Sequence, residues 1–184
     1  MVYVAFLRGI NVGGKNLVEM RALRDSFERL GFGSVRSYIN SGNVIFTAAD
    51  EDPRGLETRI ERALERDLRL ELTVVVRSLP EMESVVERIP KSWKQSANLR
   101  CNVIFLRHEI DNPSIVEGLH PKPEIEQLTY EPGVLFWSAK RETLTKSSMV
   151  KLSAHPDYAG MTARNERTPV KVLELMREIA ARRT

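Results

Sequence analysis

The first 78 residues alternate short β-prone runs with amphipathic helical stretches in the order β-α-β-β-α-β, and few architectures accept that order. Residues 2–8 read as a buried strand, apolar and rich in β-branched or aromatic side chains, stopped by Gly9. A helix follows from about Leu17. Asn16 and Glu19 stand at capping-box spacing, Met20, Leu23, Phe27 and Leu30 share one face, and Gly31 offers the left-handed residue that a helix C-terminus favours. Residues 35–39 and 44–47 read as strands around the turn formers Asn40-Ser41-Gly42-Asn43, as a hairpin or as one bulged strand. Pro53 opens a second helix with Leu56, Ile60, Ala63 and Leu64 on one side, and residues 72–76 read as a fourth strand.

This order is the split βαβ pattern of ferredoxin-like domains, so the expected fold class is α+β, with a ferredoxin-like first lobe over residues 1–78. A second α+β lobe takes residues 79–184 and includes a basic C-terminal helical region. Within it a short helix starts at Pro80, residues 101–106 form a strand, and Glu131-Pro132-Gly133 turns a hairpin between residues 128–130 and 134–137. Residues 144–152 are basic and helix-prone. In the last helix, Thr168 is the expected cap, Pro169 the first helical residue, and Val172, Leu175, Met176 and Ile179 the apolar face.

A chain of 184 residues buries roughly 70% of its unfolded surface and needs neither disulfides nor metal to hold together. The single cysteine, Cys101, rules out an internal disulfide and suits a reducing compartment. With no signal-peptide pattern at the N-terminus and no apolar run of membrane-spanning length, the expected location is cytoplasmic, with no membrane partner. Net charge is only +3, but between Ser138 and Lys171 seven basic residues stand against three acidic ones. A local excess of that kind favours anionic ligands or nucleic acid, or is a solvated surface.

Three motifs carry the candidate site. The first is Gly9-Ile10-Asn11-Val12-Gly13-Gly14-Lys15-Asn16, between a strand and a helix, where glycines let the backbone approach a ligand and a helix start offers free N–H groups beside the charge of Lys15. Its spacing matches a nucleotide-hydrolase phosphate loop except that Asn16 replaces the magnesium-binding Ser or Thr. No Asp-ended apolar strand accompanies it, so an anion-binding loop, or a plain glycine turn, is the better reading. The second is Asn40-Ser41-Gly42-Asn43, whose amides and hydroxyl suit a base or sugar and equally suit a hairpin turn. The third is Ala163-Arg164-Asn165-Glu166-Arg167-Thr168, two arginines before the last helix, placed to hold a phosphate or carboxylate or to pair with acids.

Other chemistry is weaker. Ser148 and Lys151 have S-x-x-K spacing without the companion motifs of penicillin-recognising enzymes. His108, His120 and His155 are scattered and imply no metal site, and His155-Pro156-Asp157 reads as a structural turn. No cofactor is implied.

Arg8 to Asn16, then Tyr38-Ile39-Asn40-Ser41-Gly42-Asn43-Val44, then Thr162-Ala163-Arg164-Asn165 before a C-terminal helix, together resemble the bacterial family known as domain of unknown function 1697. The resemblance spans nearly the whole chain. It implies a cytoplasmic α+β protein with ferredoxin-like elements and carries no established activity. Members usually place a tryptophan after the Ala-Arg-Asn triplet, where this chain has Glu166, and Val after the next Thr, where it has Pro169, so no aromatic stacking role transfers to that position.

The leading expectation is a site gathering Arg8, Asn11, Gly13, Gly14, Lys15, Asn16, Ser41, Asn43, Arg164, Asn165 and Arg167 around a small phosphorylated molecule or nucleotide in a basic cleft between lobes. The alternatives are an RNA-binding module and a structural or protein-interaction domain without a small ligand. Reaction type stays open.

Overall fold

A computed structural model describes residues 1–11, 17–95 and 97–182. Its contacts divide the chain into two compact units, Met1–Ser84 with Val170–Thr184, and Val85–Pro169. The last helix, grouped with the second lobe in the sequence reading, thus counts mostly with the first unit.

The first unit runs β1 (Val2–Leu7), α1 (Met20–Arg29), β2 (Gly33–Tyr38), β3 (Asn43–Thr47), α2 (Pro53–Leu68), β4 (Val74–Ser78) and the start of α3 (Leu79–Arg88). The strands form one sheet in the order β2-β3-β1-β4, every neighbouring pair antiparallel. Each β-α-β crossover therefore skips one strand. β1 is buried at every position, as its apolar run requires for an inner strand. Tyr3, Ala5 and Leu7 share one face with Val44, Phe46, Val74 and Val76, packed against Leu23 and Phe27 of α1 and Leu56, Ile60 and Leu64 of α2. Phe46 is the hub, stacked on Phe32 at 4.4 Å with Phe27 edge-on at 5.5 Å.

Helix ends follow local chemistry. Asp52 caps α2 by accepting from the Arg54 N–H at 3.1 Å, with Pro53 in the first turn. Ser78 and Glu81 make a capping box at the start of α3, the Glu81 carboxylate accepting from both the N–H and hydroxyl of Ser78 at 2.7 Å. α1 starts at Met20 and its N-cap Glu19 makes no side-chain cap bond; Asn16, the other half of the expected box, lies outside the described residues.

The edge strand β4 is closed by side chains. Glu61 and Glu57 of α2 accept from the N–H groups of Val74 and Val76 at 2.8 and 3.0 Å, and the Arg77 guanidinium donates to the Val76 carbonyl at 2.8 Å. A protected edge leaves no template for stray strand pairing.

The second unit holds β5 (Leu99–Leu106), α4 (Ile115–Leu119), β6 (Glu126–Glu131), β7 (Val134–Lys140) and β8 (Met161–Asn165), with α5 (Arg167–Ala181) leading back to the first unit. Its sheet order is β6-β7-β5-β8, again antiparallel throughout. Ile104, Leu106, Leu135, Trp137 and Met161 pack with Ile115 and Leu119 of α4. The helix-prone stretch is not an α-helix. Residues 141–160 form three short 3₁₀ segments, interrupted at Ser147 and His155, whose extended backbones (ψ 159° and 135°) break the run.

Candidate functional site

The described parts of the first two motifs meet at one end of the first sheet. Asn11, at φ 53°, donates from Nδ2 to the Val18 carbonyl at 3.1 Å and the Asn40 carbonyl at 2.9 Å, and accepts from the Val18 N–H at 2.8 Å. It therefore ties Val18 to the β2–β3 turn. The buried Asn43 donates to the Tyr38 carbonyl and to Ser41 Oγ, both at 3.1 Å. Gly42, at φ 75°, accepts from the Leu7 N–H at 2.7 Å, and a Cβ there would meet the Leu7 Cβ at 2.9 Å, so only glycine lets the turn lie against β1. Arg8 is half-buried, its N–H bonded to the Thr73 carbonyl at 2.9 Å. Gly13, Gly14, Lys15 and Asn16 lie outside the described residues.

The third motif belongs to the second unit and divides. Arg164 is buried on β8 and donates to Thr162 Oγ1 and the Ala163 carbonyl, both at 2.9 Å; burial pushes its guanidinium down to about 10, still charged at neutral pH. Asn165 is the N-cap of α5, its Oδ1 accepting from the N–H groups of Arg167 and Thr168 at 3.2 and 3.0 Å and from Thr168 Oγ1 at 3.0 Å. The helix thus starts before Thr168, which the sequence reading took as the cap. Arg167 is almost fully exposed and sits 3.6 Å from Glu166.

The second unit also contains a pocket of about 380 Å³ that the motif reading missed. It is walled by Gly118 of α4 and by His120 and Lys122 after it, and by Lys146, Ser148, Val150 and Lys151 of the 3₁₀ segments with His155 between two of them. No Asp or Glu is among its lining residues. Lys122 Nζ donates to the Lys146 carbonyl at 2.7 Å, joining the two walls. Lys146 and Lys151 are exposed.

Below the pocket lies Glu126, 3% exposed. Its carboxylate accepts from Trp137 Nε1 at 2.6 Å, the Ser148 N–H at 2.8 Å and the Lys122 N–H at 3.0 Å. Burial alone pushes this carboxyl up, but the bonds from Trp137, Ser148 and Lys122 outweigh it and hold it below the usual glutamate range. The Ser148 hydroxyl sits near the same carboxylate, outside hydrogen-bonding geometry. Both members of the S-x-x-K pair, Ser148 and Lys151, line the pocket.

His155 completes the wall. Its side chain is 7% exposed, and Nδ1 accepts from the Asp157 N–H at 3.1 Å. The His155-Pro156-Asp157 turn reads as structural in the sequence, and its ring packs against Gly118, a contact invisible from spacing.

Among the described residues, no group of three or more His, Cys, Asp or Glu could hold a metal, and no helix is long and apolar enough to cross a membrane.

Two four-stranded antiparallel sheets with accompanying helices define an α+β protein. The chain belongs to the family described as protein of unknown function (DUF1697), whose model matches residues 1–136. It is similar to the solved structure of the conserved bacterial protein SP0830 from Streptococcus pneumoniae, with 30% identity, a TM-score of 0.83, and 95% of this chain and 98% of that chain covered. No curated protein matches it.

Proposed function

We propose that the protein binds a small phosphorylated ligand in the basic pocket of its second unit. The observation that carries this reading is the wall itself: Lys122, Lys146, Lys151, His120 and His155 surround about 380 Å³ with no carboxylate among them. The pocket is at the small end of ligand sites, which run from ~300 to 1,000 Å³. Cationic side chains with no acid in the lining favour an anion, and a phosphate more than a carboxylate because it accepts from several donors at once. The asparagines of the glycine loop and its neighbouring turn bond to their own backbone, which leaves the second unit as the stronger place for the ligand.

The test is a thermal-shift and titration panel of inorganic phosphate, nucleoside monophosphates and sugar phosphates on the wild type and on Lys146→Ala/Lys151→Ala. Both lysines are exposed, so the variant folds. A ligand at a hundred times its Kd adds about 2.7 kcal/mol, a midpoint rise of roughly 5–10 °C. The expected result is such a rise with a phosphorylated compound, largely lost in the double variant. Equal binding by the variant, or no rise with any compound, sinks the reading. Binding confined to RNA, with affinity falling steeply with salt, would replace it with nucleic-acid recognition.

A further inference from the structure

We propose that β6 is the contact surface of a homodimer, in which two copies of the chain pair their β6 strands antiparallel across a two-fold axis at Thr129. The motivation is a contrast among the sheet edges β2, β4, β6 and β8. An open edge is a template for another chain, and three of these edges carry a device against it. β2 is bulged between Gly33 and Arg36. β4 is closed by Glu57, Glu61 and Arg77. On β8 the Arg164 guanidinium takes the Ala163 carbonyl at 2.9 Å. β6 runs in regular register from Glu126↔Ala139 to Glu131↔Val134 and contains no Pro, Lys or Arg. From Gln127 onward each of its residues is exposed or half-exposed.

The hairpin decides which backbone groups β6 offers. Pro132 and Gly133 (φ 82°) make a two-residue turn, so Glu131 and Val134 are a hydrogen-bonded pair. Such pairs alternate along an antiparallel ladder. Thr129 and Gln127 therefore spend their N–H and C=O on β7, while Leu128 and Tyr130 point theirs away from it. Among the described residues, nothing bonds the backbone N–H or C=O of Leu128 or Tyr130 on that outer side.

The strand is complementary to itself in one register. With Thr129 opposite Thr129 of the second copy, Leu128 faces Tyr130 and Gln127 faces Glu131. Leu128 and Tyr130 then form hydrogen-bonded pairs, which use every outward N–H and C=O of both strands. Their half-exposed side chains, at the margin of the core under this sheet, cover each other across the axis. Gln127 meets Glu131, a carboxylate held by Arg88 at 3.2 Å, so no like charges stand opposite. Other registers fail. A shift of one residue sets an outward residue against an inward one. A shift of two pairs Tyr130 with Glu126, whose N–H already bonds the Lys122 carbonyl at 2.9 Å, or in the other sense Leu128 with Pro132, which has no N–H.

Sedimentation velocity over about 1–500 μM brackets the dissociation constants of small interfaces. The wild type is expected to pass from monomer to dimer across this range. Thr129→Lys sets two ammonium groups opposite each other from an exposed position, and should weaken the dimer by about tenfold or more while leaving the thermal midpoint of the monomer unchanged. Cross-linking reads the register. Opposed residues in a non-hydrogen-bonded pair have Cα atoms about 4.5 Å apart, within disulfide reach, so Thr129→Cys should oxidise to a covalent dimer. Gln127→Cys, also exposed, should not, because the two copies of residue 127 then lie about 13 Å apart along the strands. The native Cys101 is buried and stays out of the reaction. A wild type still monomeric at about 500 μM overturns the proposal. A dimer as tight in Thr129→Lys as in the wild type overturns it too, by placing the contact elsewhere. Equal cross-linking of Thr129→Cys and Gln127→Cys overturns the register.

Discussion

Glu126 offers the sharpest test of how the second unit is held together. Glu126→Ala removes one acceptor group and strands three donors, Trp137 Nε1 and the N–H groups of Lys122 and Ser148, two of which anchor the pocket walls. Each stranded buried donor costs about 1–3 kcal/mol, and because the three share one partner the losses do not sum in full, giving about 3–5 kcal/mol. Glu126→Gln keeps the shape, but its NH₂ group meets an N–H donor whichever way the amide turns, for about 2–3 kcal/mol. The chain has two tryptophans, Trp93 and Trp137, both in the second unit, so urea unfolding followed by tryptophan fluorescence reads that unit. With a slope of ~2 kcal/mol/M, the Ala variant should lower the midpoint by about 2 M. The pH dependence has a definite sign. The native carboxyl titrates below its unfolded value, so its stabilisation is fully present above ~4.3 and fades as pH falls through the lower native value. The gap between wild type and Glu126→Gln should therefore narrow as pH falls below about 4.3. Variants within about 0.5 kcal/mol of the wild type, or a gap that widens in acid, would refute the reasoning.

Two further substitutions probe local geometry. Ile39 is a β-branched residue at φ 49° and is 51% exposed, so Ile39→Asn should relieve about 1 kcal/mol of left-handed strain and raise the thermal midpoint by roughly 2–4 °C; a lower midpoint would show that the side chain contributes more than its backbone costs. Asn165→Ala should lose the cap of α5 at about 1–2 kcal/mol in denaturant titration, while Asn165→Asp keeps the acceptor and retains wild-type stability; equal losses in both would mean the side chain does something other than cap.

The first unit was legible because its signals are local and strong. Apolar alternation, two amphipathic helices and the turn at Asn40–Asn43 each state their structure within a dozen residues, and the observed element order follows them. Errors fell where tertiary contacts decide. Residues 161–165, Met-Thr-Ala-Arg-Asn, carry little β-branched character and become β8 only because β5 offers a free edge. The five-residue α4 is too short to show a helical period, and it is fixed by burying Ile115 and Leu119 under the sheet.

The candidate site shows the same division. Asn11, Asn43 and Asn165 stand out in the motifs, and each proves to bond backbone within seven residues, besides the Asn11 link to Asn40, because an asparagine amide imitates a peptide group where the chain has left regular structure. Such residues are specific in sequence for reasons of loop geometry, and a motif scan reads them in the same way as ligand contacts. The pocket residues give no such signal. Gly118 to Lys122 and Thr145 to Pro156 are separated by the β6–β7 hairpin, and they are joined by the Lys122–Lys146 bond and by a buried carboxylate bonded to Lys122 on one side and Ser148 on the other. The pocket wall therefore depends on Glu126, a residue whose neighbours in sequence say nothing about it. Perturbing Glu126 should weaken phosphate binding along with stability, whereas perturbing Asn165 should weaken stability alone.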